Sequence, residues 1–253
     1  MTLKSLIIIT VIITLLSDLN IYAQSDNDNI NKIDISGRKQ GVWHKYEGET
    51  LKYTGQFEND KPTGTFKYYD ANKNVIAITQ YSENGNIART VMYHNNGKKS
   101  AEGIYYNEKK DSIWNYYDED EQLIAVETYK NGLKNGISKI FFPDGTVSEE
   151  INWKNGVKDG AWNQYYTNGN IKLTATYKDN KLNGMLKQYY FSGKIKYYGE
   201  YVNSYKNGVW VFMNEDGKIV KKDTYKNGIL LKTEYYDKSF EEKEKKLEEE
   251  INK

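Results

Sequence analysis

The sequence predicts an all-β protein: an elongated antiparallel sheet of about eight tandem β-hairpin repeats of about 24 residues, with a short C-terminal α-helix. Three observations lead to this fold class. Residues of one chemical type recur at a period of about 24. Apolar and polar residues alternate inside each unit, which is the period of a half-buried strand. Glycine follows the alternating runs, where hairpins turn.

The repeat is defined here by a position 1, which is glycine in six of the eight units. Position 18 is aromatic in every unit, from Phe57 to Tyr225, and position 3 is tryptophan in four units. Successive units start 23 residues apart once and 24 residues apart six times. The eight starts are Gly41, Gly64, Ala88, Ser112, Gly136, Gly160, Gly184 and Gly208.

Each unit contains two predicted strands joined by a tight turn. In the unit that starts at Gly160, apolar residues occupy every second position of Ile171–Tyr177. The upstream run Trp162–Tyr166 is rich in aromatic residues, which favour strands. Gly169 lies between the two runs and can adopt the positive φ that hairpin turns require. Every unit is therefore predicted to be a β-hairpin.

The hairpins must stabilise one another, because a lone hairpin is marginal in water. We expect them to add side by side into one sheet that covers residues 41–237. Residues 24–40 are polar and are predicted to be a flexible lead-in. Residues 238–253 are predicted to be a charged helix that starts with a capping box of Ser239 and Glu242. The pattern leaves open whether this helix caps the array or is a loosely attached tail.

Residues 1–23 have the features of a signal peptide. Lys4 supplies a positive charge, Leu6–Leu16 is an apolar run, and Ala23 offers a small residue for cleavage. The alternative is a membrane anchor, but a membrane span needs roughly 20 apolar residues. We therefore expect an exported protein, periplasmic or secreted, that is soluble after cleavage at about residue 23.

Composition argues against several function classes. The 36 basic and 35 acidic residues nearly cancel, so no global charge attracts nucleic acid. Cysteine is absent, which excludes disulfides and a cysteine nucleophile. His44 and His94 occupy different repeat positions and are interpreted as solvated strand residues rather than metal ligands. The acidic run 118–121 lies at a predicted turn, where a hydrated turn is favoured over a calcium site. No catalytic residue, metal or cofactor is expected.

Aromatic residues remain as candidate binding groups. Phe142, Tyr166 and Tyr190 occupy position 7 in three successive units, and Tyr68 and Tyr116 occupy position 5 in two others. Position 6 is apolar or aromatic throughout, which indicates core, so alternation places positions 5 and 7 on the other face. These five residues either stack across repeats and stiffen the sheet or form a docking strip for a peptide, a protein or a sugar.

The repeat columns spell G-x-W-x-x-Y-Y-x-x-G-x-I, followed by an aromatic residue and Asn-Gly. Together with Tyr53–Phe57 and Tyr198–Tyr201, they resemble the MORN repeat family, in particular the variant repeats of YwqK-type bacterial antitoxin-like proteins. The resemblance covers about 190 residues and implies a rod of stacked hairpins that contacts proteins or lipids without catalysis. Most units depart from the family motif, which has a glycine at position 16. Glu127, Ile151, Ala175 and Asp223 stand there instead.

The function predicted from these observations is an exported, non-enzymatic scaffold for protein–protein interaction, with an antitoxin-like or immunity role as one form of it. The alternative is a carbohydrate or cell-wall binding module. A weaker resemblance to the hairpin repeats of choline- and glucan-binding proteins supports that alternative. An enzyme is the third possibility, and it would require titratable groups from separate repeats to converge in a cleft.

Overall fold

The computed structural model describes residues 29–251, and their fold is all-β with one C-terminal helix, as predicted. The predicted signal peptide lies outside the described residues. By internal contacts the chain forms two compact units. The first contains the described residues up to Arg89 together with Tyr105–Glu108. The second contains Thr90–Ile104 and the chain from Lys109 onward. No helix among residues 29–251 has both the length and the apolar character of a membrane span.

The first unit contains strands β1 (Lys32–Ile33), β2 (Lys39–Glu47), β3 (Thr50–Glu58), β4 (Lys61–Tyr69) and β5 (Val75–Ser82), and a 3₁₀ turn at Glu83–Gly85. Strands β6 (Ile87–Tyr93) and β7 (Lys99–Tyr106) contain residues of both units. The second unit continues with β8 (Lys109–Tyr117), β9 (Leu123–Lys130), β10 (Leu133–Lys134), β11 (Gly136–Phe141), β12 (Val147–Lys154), β13 (Val157–Tyr165), β14 (Ile171–Lys178), β15 (Lys181–Leu182), β16 (Gly184–Tyr189), β17 (Ile195–Val202), β18 (Tyr205–Met213), β19 (Ile219–Lys226), β20 (Ile229–Tyr235) and α1 (Lys238–Ile251).

The hairpin register follows the sequence period. In the repeat that starts at Gly160, β13 and β14 pair antiparallel with Trp162 opposite Ala175. The turn is closed by the Tyr166 N–H, which donates to the Asn170 carbonyl at 2.8 Å. Gly169 lies in this turn and has a φ of +81°, the left-handed conformation that favours glycine. The predicted turn chemistry is confirmed.

Each hairpin has two faces, because residues directly opposite on paired strands share a face. Positions 3, 5, 14, 16, 18 and 23 share one face, here called the aromatic face; Trp162 opposite Ala175 belongs to it. Positions 2, 4, 15, 17 and 22 share the other, here called the second face; Asn163 opposite Thr174 belongs to it. The core lies on the aromatic face, where Trp114 and Trp210 are 0% and 1% exposed.

A shift of register between positions 5 and 6 recurs in the hairpins, for example between Gln164 and Tyr165. The extra residue is Lys172 on β14, so β13 alternates without interruption and places position 6 on the second face. The Tyr165 hydroxyl donates to Glu150 at 2.9 Å, and Glu150 lies opposite Asn163 on the second face. The expectation that position 6 belongs to the core is therefore wrong. Tyr165 at this position is half-buried and bonded to the preceding repeat.

The repeats interlock on the aromatic face at the glycine of position 16. A Cβ at Gly55 would lie 2.4 Å from the Phe66 ring, and one at Gly199 would lie 2.2 Å from the Trp210 ring. Real Cβ atoms do not approach this closely, so glycine is required at these two positions, where a large ring of the next repeat lies against the backbone.

Units without this glycine carry a smaller or polar partner at position 3 of the following repeat. Ala175 shares a buried cluster with Leu186, which occupies position 3 of the next unit. Asp223 is buried and accepts a hydrogen bond from Thr233 at 2.8 Å. Ile151, which lies opposite Trp162, does not follow this rule. At the Ala175 and Asp223 junctions, the departures from the glycine motif are thus matched across the repeat boundary.

The N-terminal side differs from the prediction of a flexible lead-in. Residues Lys32 and Ile33 form β1 and pair with β2. The Asn31 side chain donates to the His44 carbonyl at 3.1 Å and accepts from the His44 N–H at 2.8 Å. An amide side chain therefore takes the place of a strand partner, and this segment continues the sheet rather than preceding it as a loose tail.

The C-terminal helix α1 is present over Lys238–Ile251, but Asp237 caps it. Asp237 accepts hydrogen bonds from the Ser239 N–H and hydroxyl at 2.9 Å and 2.7 Å, so Ser239 donates instead of capping. The helix contacts the array through Glu244, which accepts from Lys221 at 2.8 Å and from the Tyr235 hydroxyl at 3.0 Å. It therefore rests on the aromatic face of β19 and β20.

Candidate interaction surfaces

Lysine side chains cover the rings of the aromatic face. Lys110 lies 4.2 Å from the centre of the Trp114 ring, and Lys206 lies 4.6 Å from that of Trp210. Such contacts are favourable because the ring face is electronegative. These lysines occupy position 23 of the repeat register, which is lysine at five places, but their contact with the rings was not predicted from the sequence. These are Lys39, Lys110, Lys134, Lys158 and Lys206.

Burial shifts the pKa values of ionisable side chains on this face. It lowers the pKa of Lys110 and Lys206 from the ordinary value, because a desolvated ammonium group is less stable. Burial would raise the pKa of Glu127, but hydrogen bonds from Lys134 and Tyr129 outweigh it and leave the pKa lowered. The aromatic face thus holds an internally paired charge cluster.

The two candidate tyrosines of position 5 belong to this same face. The Tyr68 and Tyr81 hydroxyl oxygens are 2.9 Å apart, and the Tyr116 hydroxyl accepts from Lys110 at 2.8 Å. Burial raises the pKa of both Tyr68 and Tyr116. The expectation that they flank an exposed strip on the face opposite the core is wrong, because the core is on the face they occupy.

The candidate residues of position 7 lie where each hairpin turns. The Tyr166 hydroxyl donates to the Tyr189 carbonyl at 2.7 Å, and the Tyr190 hydroxyl donates to the Met213 carbonyl at 2.8 Å. Phe142 occupies the same place and is also half-buried. Position 7 therefore bonds one repeat to position 6 of the next, which supports the stiffening interpretation of these rings.

The remaining candidates have structural partners. His94, also at position 7, places Nε2 2.9 Å from the Tyr117 carbonyl. The carboxylate of Asp118 accepts from the N–H groups of Asp120 and Gln122, both at 2.9 Å, as a hydrogen-bonded turn does. Among the residues that the structure describes, no group of three or more His, Cys, Asp or Glu side chains could hold a metal ion.

The second face carries an exposed aliphatic row that the sequence analysis missed. Position 2 is Ile113, Ile137, Met185 and Val209 in four repeats of the second unit, with exposures of 56%, 47%, 48% and 51%. Successive hairpins place equivalent residues about 10 Å apart, since each contributes two strands. The signal was present in the sequence as one apolar residue beside position 1 glycine, but a single apolar position on a polar face is not conspicuous.

These features define the class of the protein, which is a tandem antiparallel β-hairpin repeat protein. The family model of the MORN repeat variant matches residues 62–83, 134–155, 158–179, 182–203 and 206–227. The chain therefore belongs to the MORN repeat family, as its motifs indicate. Each matched segment begins at position 23, the position of the ring-covering lysines, and ends after the second strand of the hairpin.

No curated protein matches the chain. Solved structures that resemble it include the crystal structure of TarM, with 17% identity and a TM-score of 0.29, covering 37% of this chain and 20% of that one. Another is a mutant of S. aureus TarM in complex with Fondaparinux, alpha-GlcNAc-glycerol and UDP, with 16% identity and a TM-score of 0.30, covering 49% and 22%. The chain thus spans about a fifth of the length of these proteins.

Proposed function

We propose that the protein is a non-enzymatic scaffold that binds another protein through the second face of its repeats. The observation that carries this proposal is the row of exposed aliphatic residues at position 2, Ile113, Ile137, Met185 and Val209. Exposed apolar groups that recur on one face are typical of protein interaction sites. The centre of such an interface is depleted of charge, which fits aliphatic side chains flanked by polar positions.

A protein partner fits this surface better than a polysaccharide does. Sugar rings stack on exposed aromatic faces, but Trp114 and Trp210 are buried and lie beneath Lys110 and Lys206. The exposed row is aliphatic instead. A partner strand or helix with its own apolar residues could cover it, and the sheet would supply a rigid, preorganised surface.

The predicted signal peptide supports a site of action outside the cytoplasm, either periplasmic or secreted. Its basis is the positive residue Lys4 followed by the apolar run Leu6–Leu16. An antitoxin-like or immunity role would be one form of the same activity, since it consists of binding and blocking another protein. Neither role requires a cofactor.

The proposal is tested by placing charge in the aliphatic row. The protein is photo-cross-linked in the producing cells, and the captured partner is identified by mass spectrometry. Binding is then reconstituted from purified components. The variant Ile137→Lys with Met185→Lys should lose binding, because charge at an apolar interface centre is left desolvated. Thr167→Lys, at an exposed turn residue outside the strands of the second face, is the matched control and should bind normally.

Several outcomes would contradict the proposal. If the double lysine variant bound the partner as tightly as the wild type does, the aliphatic row would not be part of the interface. Loss of binding with Tyr166→Ala alone would favour the position 7 strip. Sedimentation of the wild type, but not of the double variant, with purified cell-wall polymer would favour the carbohydrate alternative. The unfolding curves of the lysine variants should coincide with that of the wild type, which separates binding from stability.

A further inference from the structure

The last strand, β20 (Ile229–Tyr235), is the first strand of an incomplete ninth repeat. Leu230 lies opposite Tyr225, as position 23 lies opposite position 18 elsewhere. Thr233 lies opposite Asp223, as position 3 lies opposite position 16 of the preceding repeat in the β12–β13 pair. In a complete repeat a second strand would follow and pair with the free edge of the first. Here the chain instead turns into α1 at Lys238.

The outer edge of β20 is open in the part of the chain that the structure describes, where its strand partner is β19. Three consecutive aliphatic residues on this edge, Ile229, Leu230 and Leu231, are 66%, 50% and 60% exposed. Helix α1 does not shield them, since its bonds to the sheet are made near the other end of the strand, at Tyr235. An exposed apolar edge strand is a template for pairing with another strand.

We propose that β20 pairs antiparallel with β20 of a second copy of this chain, about a two-fold axis at Thr233. The charges of the strand support this occupant. Lys232 and Glu234 both lie on the second face, opposite Thr224 and Lys222 of β19. With Thr233 on the axis, Lys232 lies opposite the partner's Glu234 and Glu234 lies opposite the partner's Lys232. Lys232 and Glu234 form an ion pair with each other at 2.9 Å within one chain, and the dimer exchanges the two intrachain pairs for two cross-strand pairs that hold both chains together.

The same register also covers apolar surface. Leu231, which is 60% exposed, lies opposite the partner's Tyr235. Aromatic and aliphatic residues directly opposite each other stabilise strand pairs. A pairing of this symmetry uses the free edge of both copies and closes, so assembly stops at a dimer.

The charges allow a test by exchange, read by sedimentation velocity of the purified protein over a concentration series. The wild type should dimerise. Lys232→Glu and Glu234→Lys should each raise the dimer dissociation constant roughly 10-fold, because each places like charges opposite one another. An equimolar mixture of the two variants should recover dimers, since each chain then carries the charges that complement the other. Lys187→Glu, at an exposed residue of the second face, should leave the dimer unchanged.

A second measurement uses the absence of cysteine from the chain. Lys232→Cys mixed with Glu234→Cys should oxidise to a disulfide-linked heterodimer, because the two residues lie opposite each other in this register. Lys187→Cys should give no such product with either. The proposal is overturned if the wild type is monomeric at every concentration. It is also overturned if mixing does not restore the charge variants, or if the cysteine pair does not cross-link.

Discussion

The contact between Gly199 and Trp210 offers a direct test of how one repeat holds the next. Trp210 is 1% exposed and packs against Tyr201, with ring centres 5.1 Å apart. A Cβ on Gly199 would lie 2.2 Å from the indole, and the backbone of Gly199 is not in the left-handed region. Gly199→Ala is therefore a purely steric perturbation. Elsewhere in the chain, Ala175 and Leu186 occupy the same two positions and are both buried.

The magnitudes follow from packing. Gly199→Ala forces the ring or the strand to move and should cost about 1–3 kcal/mol, the usual range for overpacking. Trp210→Leu leaves space that neighbours fill incompletely and should cost about 2–4 kcal/mol. The double variant recreates the Ala175–Leu186 pair, so the added methyl group occupies part of that space. We expect it to be more stable than the sum of the single effects by about 1–2 kcal/mol.

Urea unfolding of the wild type, both single variants and the double variant gives the coupling free energy. Thr176→Ala, on the exposed second face, should change the free energy of unfolding by less than about 0.5 kcal/mol and serves as the control. Strict additivity of the two single effects would refute the reasoning. It would mean that Gly199 and Trp210 tolerate substitution independently and that the size match between repeats is incidental.

Other predictions concern the tyrosines and a buried carboxylate. Tyr177→Ala removes a ring 5.5 Å from that of Trp162 and should cost about 3 kcal/mol in a urea titration, whereas Tyr166→Phe removes one hydrogen bond and should cost about 1 kcal/mol. Burial and a carboxylate hydrogen bond raise the pKa of Tyr117 from 10.0 to about 12. The folded chain thus holds a proton that the unfolded chain loses first. This contribution to stability is complete below pH 10.0 and is lost as the pH rises towards 12, which tyrosinate absorbance and alkaline unfolding should show together. Asp223 is 3% exposed, and Asp223→Ala leaves its hydrogen-bond donors without an acceptor. This substitution should lower the free energy of unfolding by about 2–4 kcal/mol in a urea titration.

The turns and the repeat register could be predicted because they depend on local chemistry. Gly169 requires a left-handed φ, and the residues around it have no alternative that closes the hairpin as well. The aromatic residues at positions 3 and 18 recur often enough to fix the pairing of the two strands. Trp162 and Tyr177 are correspondingly on one face, with Ala175 between them in the register.

The face of position 6 follows from alternation with position 3, but its apolar character indicated the opposite face. Trp162 and Gln164 lie on the aromatic face, so the next residue, Tyr165, lies on the second face. Its hydroxyl is bonded there to Glu150. A polar tip on a large ring makes either face acceptable, so tyrosine carries less information about burial than leucine or valine does.

The lysine column illustrates a different limit. Lysine in a polar sequence indicates solvent exposure, and nothing local in the segment around Lys110 distinguishes it from Lys109. The difference arises from the next repeat, which places the Trp114 ring 4.2 Å from the Lys110 ammonium group. The apolar stem of lysine can lie along such a ring while its charge remains near water. Sequence reasoning would have to treat position 23 and the following position 3 as one site to find this contact.

Contacts across repeat boundaries also account for two departures from the glycine of the family motif, Ala175 and Asp223. The fit at position 16 depends on the sum of two side chains, one from each side of a repeat boundary, rather than on either residue alone. Gly199 accommodates Trp210, Ala175 accommodates Leu186, and Asp223 exchanges apolar contact for a hydrogen bond to a neighbour. A stack of hairpins is then free to vary its sequence if both members of a junction change together. The boundary between repeats, and not the repeat itself, is thus the smallest unit in which the stability of this fold can be understood.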